Sequence, residues 1–257
     1  MAAPPMLRVV EREWRVYVRL WRGLAFTTFA QPALYLVAMG IGLGGLVNAH
    51  SGHVSGLDYL DFVAPGLLVA SAMQLACSES LWPVLAGVKW IRHYYGIVAT
   101  PIRPSDVYGG WVTFVGLRAM SGSVAFLAVA ALLGAVSSPW GVLAIPAAGL
   151  CAAAFCALLS AFSIAQDSDL SFPMIMRLGV LPLFLFSGTF FPISQLPTFL
   201  RALAVLSPLW HGVELARGAT TGHLTAAGVI AHVAVLCGYI ALGAAIGTRT
   251  FTRRLAS

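Results

Sequence analysis

The chain has 257 residues, of which 59% are hydrophobic and 9% are charged, whereas roughly a quarter of the residues in a soluble domain are charged. Only lipid can cover so much apolar surface, so the composition excludes a soluble fold and predicts an all-α integral membrane protein. The net charge of +6 gathers at the ends of apolar segments, which is typical of charges that orient membrane spans and argues against nucleic acid as a partner.

Residues 1–23 are predicted to form an amphipathic helix that lies in the cytoplasmic membrane interface. The arginines recur at steps of four and three residues, which places them within an arc of about 80° on a helix. We expect this basic face to meet lipid phosphates and the opposite, aromatic face to meet the acyl boundary. A soluble amphipathic helix packed on a partner is the alternative. The predicted anchoring residues are Arg8, Arg12, Trp14, Arg15, Arg19, Trp21 and Arg22.

Six apolar stretches follow, each long enough to cross a hydrocarbon core of about 30 Å, which takes roughly twenty helical residues. The predicted spans are residues 24–47, 59–78, 107–133, 140–165, 172–190 and 224–248. Two connections are longer than turns: the basic segment 79–106 and the outer segment 191–223. The outer segment has short apolar runs broken by proline, which predicts short re-entrant or interfacial helices.

Basic residues orient these spans. The N-terminal segment, the connection 79–106 and the tail 249–257 carry most of the Lys and Arg, whereas the loop 48–58 carries none. By the positive-inside rule, both termini and the connection 79–106 lie in the cytoplasm, with six spans between them.

Catalytic and nucleotide-binding motifs are missing from the sequence. The single lysine, Lys89, is followed by Trp90, so there is no Walker A loop, and the histidines are scattered. We expect no catalytic residue, no metal and no cofactor on this chain, so energy for transport must come from a partner or from an ion gradient.

Two arginines, Arg118 and Arg177, are predicted at membrane depth, where charge is expensive. We expect each to snorkel to the cytoplasmic headgroups or to pair with Glu79, Asp167 or Asp169. No carboxylate lies at a predicted midplane, which weakens the case for ion coupling.

Small residues late in the first span point to close helix packing. Gly40 and Gly44 form a small-xxx-small pair, which favours a subunit interface at this place.

Three motifs occur in order along the chain. Residues 32–36 (PALYL) and 40–44 (GIGLG) form the first, residues 62–66 (FVAPG) the second, and residues 182–192 (PLFLFSGTFFP) with 195–197 (QLP) the third. On these motifs the sequence resembles, over essentially its whole length, the ABC-2 type permeases, the membrane subunits of one class of bacterial ABC exporters. Within that family the likeness is to the nodulation lipo-oligosaccharide and drug-export permeases.

The resemblance implies one transmembrane domain over residues 1–257, with an interfacial helix (1–23), six spans (24–248) and a cytoplasmic tail (249–257). It also implies a bacterial inner-membrane protein that works with an ABC ATP-binding subunit, which holds ATP and Mg²⁺, and with a second permease copy. A coupling helix between the second and third spans would dock on the ATPase. The coupling residues carried over are Arg92, Tyr94, Tyr95, Thr100, Pro101 and Arg103.

Substrate would pass along the interface between permeases, near the first, second and fifth spans. Aromatic residues there suit amphiphilic, drug-like or lipid-linked cargo, although they also suit ordinary packing or contact with lipid. The predicted pathway residues are Phe184, Phe186, Phe190 and Phe191. An ion-gradient-driven transporter or channel is the main alternative function, and an intramembrane enzyme acting on lipid-linked substrates is another.

Overall fold

The structure is a computed structural model and describes residues 4–20, 31–38, 42, 54 and 56–256. Over these residues the chain is helical, and its only extended pairing is an isolated bridge between Val54 and Leu57. The helices of the described residues are α1 (Pro5–Arg19), α2 (Gln31–Leu36), α3 (Tyr59–Val88), α4 (His93–Val98), α5 (Pro104–Leu132), α6 (Pro139–Ser163), α7 (Phe172–Phe186), α8 (Thr198–Leu206), α9 (Pro208–Thr221) and α10 (Ala226–Leu255).

Within the described part of the chain, four helices are long and apolar enough to cross a membrane: α3, α5, α6 and α10. The prediction of an all-α membrane protein is confirmed to the extent of these four helices. The predicted fifth span is α7, which is apolar but shorter and contains a π-helical segment, Ile175–Val180. Most of the predicted first span, 24–47, lies outside the described residues, and α2 is part of it. The six-span arrangement therefore stays a prediction.

The second span continues well beyond its predicted end at residue 78. Glu79 was expected to end it, but the Glu79 carboxylate pairs with Arg118 at 2.8 Å, so the charge is neutralised within the bundle. Beyond it, Leu81 and Leu85 are fully buried, and α3 ends only at Val88. The basic connection is therefore residues 89–103, shorter than the predicted 79–106.

The last span is also longer than predicted. Phe251 and Leu255 are buried and continue the helix through most of the segment 249–257, which was expected to be a cytoplasmic tail. In contrast, α7 ends at Phe186, before the predicted end at 190, because Gly188 follows with φ +79°, a left-handed conformation that interrupts a helix.

The core forms around α6, which packs against α3, α5, α9 and α10. Small residues permit this close packing: a Cβ atom added to Gly243 of α10 would lie 2.5 Å from the Ala157 Cβ of α6. Tyr108 of α5 occupies the space beside Gly247 of α10, and its hydroxyl donates to the Ala157 carbonyl at 3.0 Å. The side-chain-free glycines thus let α5, α6 and α10 approach around one tyrosine.

The bundle has two different ends. The basic end holds α1, α4, residues 89–103, residues 164–171 and the C-terminal turns of α10. At this end the Arg254 guanidinium pairs with the Asp167 carboxylate at 2.6 Å, and Lys89 donates to the Asp167 carbonyl. The opposite end holds α8 and α9, and there the backbone N–H groups of Ser137 and Ser138 both donate to the Thr220 carbonyl at 3.0 Å.

Candidate functional site

A cavity of about 640 Å³ lies between α2, α3, α5 and α7, within the membrane-capable part of the bundle. Its lining is mixed. The apolar side chains include Leu67, Leu75, Phe126, Leu181 and Phe184, and the polar side chains include Ser71, Gln74, Ser78, Arg118 and Ser123. A cavity with both kinds of lining fits an amphiphile, since apolar chains and a hydrogen-bonding group can be buried together.

Three of the polar side chains that line the cavity lie on α3. Ser71, Gln74 and Ser78 are three and four residues apart, so they share one face of the helix. Their hydroxyl and amide groups are able both to donate and to accept hydrogen bonds.

An ion pair lies on the side of the cavity that faces the basic end. The Arg118 guanidinium lies 2.8 Å from the Glu79 carboxylate, with side chains only 14% and 20% exposed. Arg118 also lies 5.2 Å from the ring centroid of Tyr17, a cation–π distance. Arg118 therefore pairs with a carboxylate, which is one of the two alternatives expected of it. It joins α1, α3 and α5 at the mouth of the cavity.

The four predicted pathway phenylalanines separate into two pairs. Phe184 is buried and lines the cavity, and the Phe190 ring packs on it with centroids 5.2 Å apart. Phe186 and Phe191 pack on each other at 6.2 Å, and neither lines the cavity. The structure thus brings one of the four rings to the cavity wall and a second ring behind it.

The N-terminal helix α1 packs on α5 of the same chain. Val9 is buried against Gly110, where an added Cβ would lie 2.7 Å from the Val9 Cβ. The Trp14 and Tyr17 rings both pack edge-on against Phe114, at 6.5 and 6.4 Å. The face of α1 that carries Val9 and Tyr17 is therefore used for docking inside the chain.

The basic face of α1 points away from this contact. Among the predicted anchoring residues, Arg8, Arg12, Arg15 and Arg19 are exposed, whereas Trp21 and Arg22 lie outside the described residues. Glu13, which sequence reasoning missed, is buried next to Arg12 and pairs with it. Burial raises the pKa of the Glu13 carboxyl, against the lowering effect of the Arg12 charge.

The predicted coupling residues occupy two kinds of position around α4. Tyr94 is buried and fills the space beside Gly87 of α3, where an added Cβ would lie 2.6 Å from its ring. It also packs against Phe251 of α10 at 6.1 Å, and burial raises the pKa of its hydroxyl. Tyr94 thus fixes α4 to two spans, and its ring does not lie on the surface.

Arg92 precedes α4 with φ 59°, a left-handed conformation that is strained for a residue with a side chain. Its guanidinium lies 5.3 Å from the ring centroid of Tyr95. Arg92 is exposed and therefore accessible to a partner, whereas Tyr95 is partly buried and packs against the core.

The remaining coupling residues form the turn from α4 to α5. The Thr100 hydroxyl donates to the Ile97 carbonyl at 2.6 Å, and Pro101 leads into Arg103, the residue that caps α5. The Arg103 backbone N–H donates to the Asp106 carboxylate at 3.1 Å. These bonds hold a defined, exposed turn at the basic end.

A basic groove of about 370 Å³ separates α1 from α4. Arg8 and Arg12 line one side of it, and His93 lines the other. Burial, and then the charge of Arg12, lowers the pKa of His93. The groove adds to the positive charge of the basic end.

At the opposite end lies Arg217 of α9. From the sequence alone it is only a charged residue of the outer segment 191–223. Its side chain is 12% exposed and its guanidinium donates to the carbonyls of Phe62, at 3.2 Å, and Gly188, at 2.6 Å. It also donates to the Glu214 carboxylate at 2.8 Å and lies 3.9 Å from the centroid of the Phe62 ring. One side chain therefore ties α9 to the beginning of α3 and to the turn after α7.

The second and third sequence motifs meet at this arginine. An added Cβ on Gly66, in the second motif, would lie 2.9 Å from the Thr189 carbonyl oxygen, in the third. Only a glycine at position 66 lets the two backbones approach so closely. No sequence pattern signals this contact, because it joins a helix to a turn far along the chain.

A histidine pair joins α9 to α10 nearby. The Nδ1 atoms of His211 and His232 are 2.8 Å apart, and His211 Nε2 lies 3.0 Å from the Val205 carbonyl. A carbonyl can only accept, so His211 carries its hydrogen on Nε2, and the His232 Nδ1–H donates to His211.

The predicted subunit-interface residues, Gly40 and Gly44, lie outside the described residues.

Comparison with known proteins adds the following. The family profile described as ABC-2 type transporter matches residues 6–220. Nodulation protein J of Sinorhizobium fredii is 29% identical over 248 residues, 95% of this chain and 93% of that relative. Nodulation protein J of Bradyrhizobium diazoefficiens is 31% identical over 253 residues, 94% and 92% of the two chains. The inner membrane transport permease YadH of Escherichia coli is 23% identical over 212 residues, 79% and 77%.

Proposed function

Because the chain belongs to the ABC-2 type transporter family, we propose that it is the membrane-spanning permease subunit of an ATP-driven ABC exporter that moves amphiphilic cargo outward. ATP and Mg²⁺ are held by a separate ATP-binding subunit, and this chain acts as a transport subunit without catalysis of its own. The family match over most of the chain carries this proposal, together with relatives that include a transport permease.

The cavity supports the choice of amphiphilic cargo. Its lining combines apolar side chains such as Phe184 with hydrogen-bonding groups and Arg118. Drug-like amphiphiles and lipid- or glycan-linked molecules share this combination of an apolar body and a polar group. A second permease copy would complete the pathway on the side where α2 and α7 border the cavity.

The basic end is the part of the molecule suited to face the cytoplasm and the ATPase. Most of the Lys and Arg residues gather there, as the positive-inside rule requires of a cytoplasmic face in a bacterial inner membrane. Residues 89–103 stand at this end, and Tyr94 fixes them to α3 and α10. A push on α4 would therefore reach two spans directly.

Transport by the reconstituted complex tests the proposal. The permease and its ATP-binding subunit are placed together in proteoliposomes, and ATP-driven accumulation of a fluorescent amphiphile is followed. We expect accumulation that requires ATP, persists with a protonophore, and is lost when the Walker A lysine of the partner is replaced by alanine. Accumulation driven by an ion gradient without ATP would instead favour the ion-coupled alternative.

A second test concerns the coupling residues. Arg92→Gly removes the guanidinium while permitting the left-handed backbone, so the turn itself is preserved. We expect ATP hydrolysis by the complex to continue while transport falls about tenfold, the effect of losing one charge-assisted contact of about 1.4 kcal/mol. Arg201→Gly, at an exposed site on α8, is the control for loss of an arginine. Unchanged transport in the Arg92 variant would remove Arg92 from the coupling surface.

A further inference from the structure

Arg177 lies in the π-helical segment of α7, Ile175–Val180. Here the Leu181 N–H donates to the Met176 carbonyl, five residues back. Pro182 has no N–H to donate to the Leu178 carbonyl, so the usual helical pattern is broken at this point by the sequence itself. Such π segments occur preferentially at functional sites in helices.

The side chain of Arg177 is exposed on an otherwise apolar surface. Its neighbours Met174, Leu178 and Leu181 are 64%, 68% and 48% exposed, and together they form the outer face of α7. Within the described residues, Arg177 forms no ion pair and no hydrogen bond. A cation on an apolar face of a membrane helix is costly unless an anion accompanies it.

Two of the three carboxylates expected to pair with Arg177 have other partners. Asp167 pairs with Arg254 at 2.6 Å, and Glu79 pairs with Arg118 at 2.8 Å. The structure therefore does not support the predicted pairing of Arg177 with either of them.

The apolar helices of a second copy of the chain also hold few carboxylates that could pair with Arg177. The apolar helices α3, α5, α6, α7 and α10 contain, besides Glu79, only Asp61 near the opposite end and Asp106, which caps the first turn of α5. Residues 21–53 contain no acidic residue at all. Asp169 lies three residues before the beginning of α7, and Arg177 lies five residues inside it. Within these helices no carboxylate stands beside Arg177, which favours an anion from outside the protein as its partner.

Arg177 also lies close to the cavity. Leu181, which lines the cavity, is four residues further along α7, about 6 Å along the axis and on the same side of the helix. Phe184 lines the cavity one turn beyond. Arg177 thus stands at the rim of the cavity, on the side of the basic end.

We propose that Arg177 binds the anionic phosphate headgroup of an amphiphile at the rim of the cavity, with the apolar chains of that molecule against Met174, Leu178 and Leu181. A guanidinium suits this ligand, because it forms two parallel hydrogen bonds to a phosphate and is never deprotonated. The amphiphile is either a resident anionic phospholipid or the cargo on its way into the cavity. The second source rests on the proposed function, whereas the binding site itself does not.

The binding experiment uses the permease alone in nanodiscs. A photoreactive benzophenone amino acid replaces Leu178, whose side chain is exposed, and the discs contain equal amounts of phosphatidylcholine and phosphatidylglycerol. We expect phosphatidylglycerol to be cross-linked about fivefold more than phosphatidylcholine, the ratio for about 1 kcal/mol per arginine near a membrane surface. Arg177→Gln should abolish the preference, Arg177→Lys should keep most of it, and Arg201→Gln should leave it unchanged.

Cross-linking to phosphatidylcholine shows in each variant that the protein is folded and that the probe is active. Equal cross-linking of the two lipids by the unmutated protein, or a preference that survives in Arg177→Gln, would overturn the proposal. Because no ATPase is present, these outcomes do not depend on the proposed function.

A transport arm then identifies the source of the headgroup. With the ATP-binding subunit present, fluorescent phosphatidylglycerol that is moved outward with ATP, and moved less by Arg177→Gln, is cargo. Fluorescent phosphatidylglycerol that is cross-linked but not moved is a resident lipid, and the binding site stands in both cases.

Discussion

The two ends of the bundle are held together by different kinds of contact. At the opposite end, the Arg217 guanidinium is mostly buried and joins α3, α9 and the turn after α7, and Gly66 packs directly on the backbone of that turn. At the basic end, the polar contacts from Lys89 and Arg254 converge on Asp167, whose side chain is 82% exposed. Buried charge networks cost several kcal/mol when they are broken, whereas exposed ion pairs contribute about 0–1 kcal/mol.

This difference indicates how a permease of this kind divides its tasks. We infer that the opposite end keeps three helical segments in a fixed relation and that the polar contacts of the basic end rearrange at little cost. The cavity lies between the two, with the Glu79–Arg118 pair on its basic-end side. Movement delivered by an ATPase at α4 would then be converted into a change at the mouth of the cavity, while the far end serves as the fixed point.

The largest expected effect comes from breaking the fixed end at Arg217. Arg217→Ala leaves the Glu214 carboxylate and two backbone carbonyls without their donor, so we expect a loss of about 3–5 kcal/mol in stability. The measurement is the melting temperature of the purified permease in detergent. Arg201→Ala, at an exposed site on the neighbouring helix, should melt like the unmutated protein. Equal melting of both variants would contradict the assignment of a fixed end.

The ion pair at the mouth of the cavity should have the next largest effect. Arg118→Gln or Glu79→Gln leaves one charge mostly buried and unpaired, so each should lower stability by about 2–3 kcal/mol, somewhat less than for a fully buried pair. The double variant should be more stable than the sum of the two losses predicts, by about 1–2 kcal/mol. Strict additivity in this double-mutant cycle would show that the two side chains do not interact.

Gly66→Ala tests the backbone contact at the fixed end with a single methyl group. The added carbon would lie 2.9 Å from the Thr189 carbonyl, so backbone must shift, at an expected cost of about 1–2 kcal/mol. The control is Gly238→Ala, in α10, where nothing lies within 4 Å of the new carbon. That variant should be neutral or slightly more stable, because alanine favours helix. A melting temperature of Gly66→Ala at or above that of Gly238→Ala would rule out the close contact.

The smallest effect is expected at the basic end. The hydrogen bond from Arg254, and then its charge, lowers the pKa of the Asp167 carboxyl. A lowered pKa means that this group stabilises the fold above its ordinary pKa of about 4, and that the benefit is lost as the pH falls through the lowered value. Compared with Asp167→Asn, the unmutated protein should melt slightly higher at neutral pH, and the difference should vanish in acid and in high salt. A large difference in melting temperature that persists in high salt would show that the contacts of the basic end are not weak.

The membrane-spanning helices were predictable because each is a long apolar run. Their ends were less predictable, because Glu79 would end a helix in lipid but is neutralised here by Arg118, which comes from another helix. The pairing of Arg118 was among the expected alternatives, since charges at membrane depth seek partners. Which of the two alternatives applies to Arg177 was not predictable, because it depends on Arg254 pairing with Asp167.

The roles of Arg217 and Tyr94 were out of reach of the sequence. Arg217 donates to the backbone carbonyls of Phe62 and Gly188. Every residue has such a carbonyl, so the residue types do not indicate which ones accept. Tyr94 is buried only because Gly87 leaves room for its ring. Both depend on contacts between segments far apart in the chain. The cavity was not predictable for the same reason, because its lining comes from four helices.

Hydrogen–deuterium exchange on the complete transporter tests most directly the claim that one end responds to ATP and the other stays fixed. The complex of permease and ATPase is compared with and without nucleotide trapped by vanadate. The account predicts altered exchange in peptides covering residues 4–20 and 89–103, and unchanged exchange in peptides covering residues 187–221. Changes of equal size at residues 187–221, or no change at residues 89–103, would contradict it.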